Sequence, residues 1–358
     1  MSNLTQVAKQ TRKIVKISLF VIIAITILTP VSKGIRTYWI KTHPEPAAPP
    51  NMSFGKLPSI KFGSEASYPA GLQFELKTIS GSFPDIGQQS RVYFITILGP
   101  SFFDEEYTRQ KASQLGFTQQ LGKIGSNRFA FLDPVTKANL KIDTINNNFE
   151  INYPFHQDLF FKDLTAPTEQ TAFSLVRNVV TQMGLWQDDF DADQANYIYL
   201  KYDQQKSELV KALSLSEAQL TRVNLKRKDL DNLPIMPPHL TESNVSLIVS
   251  SAGGGKTIVF AKYICYPINY ERYATYPLKS AVTAWEELKK GQAFISHLGN
   301  NNDEKPIAIR KIYLAYFAPE LPQKFLQPIF IFEGDDEFRA YVTAIKSSWI
   351  QDKAETEN

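Results

Sequence analysis

The sequence predicts an α+β protein with one N-terminal transmembrane helix and a largely antiparallel, β-rich water-soluble region carrying three packed helices. Three observations lead there. An uncharged apolar run stands near the start, short β-branched and aromatic segments between turn residues fill most of the remainder, and three stretches of helical spacing each stop at a glycine.

Residues 1–13 read as a short basic tail. No charged residue lies between Ile17 and Ser32, and Ile14 and Val15 extend the apolar run, with Lys16 snorkelling toward the headgroups. The resulting span, 14–32, reaches roughly 28 Å as a helix, close to the ~30 Å of a bilayer core. Tyr38 and Trp39 follow where amphipathic rings favour the interface. Lys9, Arg12, Lys13 and Lys16 precede the run, and Lys33, Arg36 and Lys41 follow it. That bias favours a cytoplasmic N-terminus with the body outside, at the cell membrane. Ser32 and Gly34 also form a small-x-small pair that a signal peptidase could cut, although the run is long for a signal core and Lys33 occupies the site. The first expected partner is therefore the lipid bilayer, through this N-terminal helix.

Residues 33–53 form a proline-rich spacer around His43-Pro44-Glu45-Pro46, a semi-rigid extended composition. Strands are expected at 72–77, 92–98, 128–132, 139–143, 149–153, 197–202, 221–227, 245–249, 257–266, 309–317, 329–333 and 339–345. Asp133-Pro134, Asn146-Asn147-Asn148 and Gly334-Asp335-Asp336 supply turns too short for parallel crossovers.

Helical spacing marks Phe173, Val176, Val180 and Met183, and more cleanly Leu278, Ala281, Val282, Trp285 and Leu288, with Glu286 and Lys290 as an exposed i,i+4 pair. A third helix falls at 103–115. Gly116, Gly184 and Gly291 close the three, as residues just past a helix end often do. A first α+β subdomain is placed at 54–160 and a second at 161–349, with a polar tail at 350–358.

A net charge of +3 argues against a dedicated nucleic-acid binder. The single cysteine, Cys265, excludes an internal disulfide and a cysteine zinc cage, and its aromatic neighbours Tyr263 and Tyr266 mark it as a buried apolar residue. Gly253-Gly254-Gly255-Lys256-Thr257 lacks the leading glycine of a phosphate loop, since Ser250 stands there, and a strand follows instead of a helix, so a hairpin is expected. Asp189, Asp191 and Asp193 have calcium-loop spacing, but Gln194 and Leu200 occupy the glycine and glutamate positions. His43, His156, His239 and His297 are scattered, and no serine sits in a G-x-S-x-G elbow. Asn51-Met52-Ser53 and Asn244-Val245-Ser246 match the glycosylation acceptor, a pattern frequent by chance. No catalytic, cofactor-binding or metal-binding residue is assigned, and no cofactor is expected.

The C-terminal third runs from Ala284-Trp285-Glu286-Glu287-Leu288 through Ile312-Tyr313-Leu314-Ala315-Tyr316 to Leu326-Gln327-Pro328-Ile329-Phe330-Ile331-Phe332-Glu333-Gly334. Over residues 277–345 this order resembles the extracytoplasmic module of YycH/YycI-type two-component regulatory proteins and, more loosely, PepSY-like modules. The resemblance implies a regulatory module that acts by protein contact. The expected function is thus a membrane-anchored, extracytoplasmic interaction or sensory module, non-catalytic, with a protein partner in the cell envelope. The alternative is an envelope-acting enzyme whose site is assembled only in the fold.

Overall fold

A computed structural model describes residues 48–63, 71–97, 99, 104–154, 164–240, 242–253 and 257–351, with isolated positions between 12 and 39. The chain divides into two compact units, Met1–Pro49 and Pro50–Asn358.

In the first unit the described positions between 12 and 39, among them Ile17, Leu19 and Leu28, are helical. No helix of the described residues is long and apolar enough to cross a membrane. A span needs about 20 consecutive apolar residues, and most of 14–32 lies outside the described residues. The expected transmembrane helix is corrected accordingly: among the described residues no spanning helix stands behind the bilayer contact assigned to it.

The second unit opens with β1 (Phe74–Leu76) and β2 (Gln89–Ile95). Helix α1 (Asp104–Gln114) leads into an antiparallel meander of β3 (Gln119–Ile124), β4 (Arg128–Leu132), β5 (Asn139–Asp143) and β6 (Phe149–Asn152). Helix α2 (Glu169–Gln182) precedes β7 (Phe190–Asp203), β8 (Glu208–Lys211), β9 (Leu220–Arg227) and the short β10 (Ile235–Met236). Three more strands follow: β11 (Val245–Val249), β12 (Ile258–Tyr263) and β13 (Ile268–Pro277). Helix α3 (Ala281–Lys289) leads to β14 (Phe294–His297), β15 (Ile307–Phe317), β16 (Phe325–Leu326), β17 (Pro328–Gly334) and β18 (Arg339–Thr343).

These strands build three sheets. The largest has nine strands in the order β3-β4-β5-β6-β12-β11-β9-β7-β8, so it draws strands from both sides of residue 160. A six-stranded sheet runs β1-β15-β17-β18-β14, with β10 also on β15, and a third is β13-β2-β16. All pairings are antiparallel except those of β1 and β10 with β15.

The class is therefore mostly β, which corrects the α+β expectation. Helical spacing marked three segments correctly in kind, but those helices are only 11, 14 and 9 residues long, while β7 and β15 alone run 14 and 11. Backbone hydrogen bonding is carried mainly between strands, and the helices cover sheet faces. Helix α2 buries Ala172, Val176 and Val180 completely against the face that holds Val223 and Leu247. Helix α3 buries Ala284, Trp285 and Leu288 against Phe332 and Val342. Both helices end at left-handed glycines, Gly184 (φ 70°) and Gly291 (φ 71°), where a Cβ would be strained.

Two of the excursions between sheets border one space. After β9 the chain leaves the nine-stranded sheet, pairs Ile235 and Met236 with Tyr316 and Phe317 of β15, and returns at β11. After β12 it leaves again through residues 264–267 to reach β13. The space between these crossings is where the candidate site lies.

Candidate functional site

A cavity of about 380 Å³ lies between the end of β9 and β11 on one side and the segments 234–244 and 264–268 on the other. That volume falls in the range of small-molecule pockets, which starts at about 300 Å³. Much of its wall is apolar, including Ile95, Ile235, Met236, Ile264 and Leu326. Exposed Gln194, Asn196, Lys226 and Asp229 mark its mouth.

Its polar wall comes from strand register. Asn224 of β9 pairs across to Asn196 of β7, immediately after a bulge between Asp191 and Asn196. Neighbouring Val223 and Leu225 face the opposite way, into the core beneath α2, by the alternation of a strand. Asn244 stands one residue before β11. Its amide nitrogen donates to the carbonyls of Ala318 at 3.0 Å and Pro319 at 3.4 Å, and that of Asn224 donates weakly to Asn196 Oδ1 at 3.5 Å. The two side-chain oxygens, Asn224 Oδ1 and Asn244 Oδ1, have no protein partner among the described residues. Both residues are buried, at 5% and 8% exposure. A buried polar atom without a partner costs about 1–3 kcal/mol unless water or a ligand supplies one. Arg339 adds a third such atom, Nε, while its Nη2 binds Glu333.

Beside these amides lies a closed charge network. Arg227 donates through Nε to Asp189 Oδ2 at 2.5 Å and through Nη1 to Tyr266 O at 3.0 Å, and Tyr270 donates its hydroxyl to the same Asp189 oxygen at 2.5 Å. Burial opposes the Arg227 cation, but the Asp189 carboxylate bonded to it favours the charged form, and the net shift is upward. Burial likewise pushes the Tyr270 hydroxyl up to about 12. It also pushes the Cys265 thiol up, partly countered by Arg227. A thiol held protonated is a poor nucleophile and a poor metal ligand.

The residues singled out in the sequence are distributed accordingly. Cys265 is buried and lines the cavity, in the crossing between β12 and β13 and not within a strand. Asp189 is engaged by Arg227 and Tyr270, while Asp191 accepts from the backbone of Asp193 at 3.0 Å, a local turn. Among the described residues no group of three His, Cys, Asp or Glu is arranged to hold a metal. Gly254, Gly255 and Lys256 lie outside the described residues; on either side of them β11 and β12 pair antiparallel, and Ser250 N donates to Thr257 O. His43 and His156 also lie outside; His297 stands 3.8 Å from Glu337, and His239 sits against the Phe294 ring. Sequence reasoning missed Asn224 as a site residue. The available signal was its strand-disfavoured side chain in the middle of an apolar β run.

No protein-family model matches the chain, and no curated protein matches it. Among solved structures it is similar to an uncharacterized protein from Eubacterium rectale, with 11% identity and a TM-score of 0.37, over 78% of this chain and 89% of that one. The residues that carried the resemblance to the two-component regulators, such as Ile312, Leu314, Tyr316, Phe330 and Phe332, are buried core positions of the six-stranded and adjoining sheets.

Proposed function

We propose that the protein is a non-catalytic binding module whose ligand occupies the cavity between the sheets, in a sensory or regulatory role read out by a protein partner. The observation that carries this reading is a mostly apolar cavity of about 380 Å³ with a few polar residues, Asn224 and Asn244 among them, in its wall. Recognition sites commonly combine an apolar wall with a few fixed polar groups. The ionisable groups of the wall support binding over turnover. Arg227 is tied to Asp189, Arg339 to Glu333, and burial pushes the Cys265 thiol up, so none of these groups is an activated nucleophile.

The test uses the uncharged fluorophore prodan. It is expected to bind saturably, one per chain, with blue-shifted emission, and the cavity-filling substitution Met236→Trp is expected to abolish that binding while the melting transition persists. Emission that rises without saturation, or that is indifferent to Met236→Trp, would remove the proposal.

A further inference from the structure

We infer that the cavity takes a cationic amphiphile, a ligand whose apolar part enters between the sheets while an ammonium-type head stays at the mouth. This rests on the binding role proposed above and narrows it to a class of ligand.

The wall sorts by exposure. Ile95, Leu326 and Ile268 are buried, and Ile235, Met236 and Ile264 beside them are partly so. The exposed lining residues are Gln194, Asn196, Lys226, Asp229 and Glu242, and every one of them is polar or charged. A ligand divided in the same way gains most. Its tail leaves water for the apolar wall, and its head keeps its hydration at the rim. A charge carried deeper would lose that hydration and find Arg227 and Arg339 already matched by Asp189 and Glu333.

The sign of the head follows from the rim. Lys226 shares a face of β9 with Asn224, by the alternation of a strand, and stands directly across from Asp191 of β7. Opposite charges in that register attract. Glu242 lies 3.7 Å from the Lys262 ammonium, which is already engaged by Glu320 at 2.7 Å. Asp229 makes no ion pair among the described residues, and its neighbour Lys228 donates to Asp188 O at 3.3 Å. Lys226 and Lys262 are therefore shared among Asp191, Asp229, Glu242 and Glu320, and the surplus charge is negative. An ammonium head at this mouth finds counter-charge, whereas a carboxylate head meets repulsion.

The experiment is displacement of bound prodan at low salt by n-octyltrimethylammonium and by octanoate, which share a tail length, each below its micelle-forming concentration. The ammonium is expected to act at about tenfold lower concentration, since exposed ion pairs are individually weak, and added sodium chloride is expected to shrink that ratio. Tetramethylammonium, which has the head without the tail, is expected to leave prodan bound. Asp229→Asn and Glu242→Gln are each expected to lower the ratio, and together to bring it close to one. The ratio is taken within each variant, so any change in prodan affinity cancels. Equal displacement by the two octyl compounds, a ratio unchanged in the double variant, or displacement by tetramethylammonium at the same concentration would overturn the ligand class and leave the binding role standing. Failure of prodan itself to bind saturably would overturn the binding role instead.

Discussion

Asp231 stands at a left-handed φ of 54° in the turn after β9 and accepts three donors: Arg91 Nη1 at 2.7 Å, the Tyr93 hydroxyl at 2.7 Å and the Tyr316 hydroxyl at 3.0 Å. Arg91 and Tyr93 belong to β2 and Tyr316 to β15, so one carboxylate fastens the crossing segment to two sheets. Burial is the largest cause raising the Tyr93 hydroxyl to about 12; Asp231 adds to it and Arg91 partly offsets it. The folded state therefore favours the protonated phenol. Its contribution to stability is complete below the ordinary value of 10.0 and is lost as pH rises through about 12. Tyr93→Phe is expected to flatten the fall of the urea midpoint across that alkaline interval, and an identical fall in parent and variant would contradict the assignment. None of this was visible along the chain, since Arg91, Asp231 and Tyr316 are remote in sequence. The Cys265 reading needed only adjacent aromatic residues, and the residue is buried at 8% exposure.

Among the elements, α3 shows both the reach and the limit of periodicity. Leu278, Ala281, Trp285 and Leu288 are buried as their spacing predicts, yet Val282 is 49% exposed. The apolar stripe is narrower than the residue types alone suggest. Glu286 pairs with Lys289 at 2.7 Å in place of the expected Lys290, which has become the helix cap. At the other end Ser280 Oγ accepts from Thr283 N at 3.1 Å. Ser280→Ala is expected to lower stability by about 1 kcal/mol and Ser280→Asp to leave it nearly unchanged, as read from denaturant midpoints. Strands were recovered where a short apolar run stands between turn residues, as at β4, β5 and β11, whose bounds match the expectation. Strand β13 was missed because a shift in register between Asn269 and Tyr273 interrupts its alternation and exposes Tyr270 and Tyr273. The edge strand β3 was missed because its mostly exposed residues show no buried face.

Across the second unit, the Arg227–Asp189–Tyr270 network joins the nine-stranded sheet to β13. Arg227 and Asp189 side chains are 12% and 14% exposed, so removing one strands the other. Arg227→Met is expected to cost about 3 kcal/mol, and the double variant Arg227→Met with Asp189→Asn to cost clearly less than the sum of the single changes. Strict additivity in that double-mutant cycle would show that the two side chains are not coupled.

Contiguous residues were enough to establish strand content, the kind and place of three helices, their glycine stops and the hairpin turns, because each depends on neighbours a few positions apart. Sheet membership, the mostly β class and the cavity arose elsewhere. Phe149 pairs with Tyr263 and Phe74 with Ile307, and such partners are chosen by complementary faces meeting across the molecule. Asn224, Asn244 and Arg339 come to line one cavity only there, since they are brought together by segments far from them along the chain.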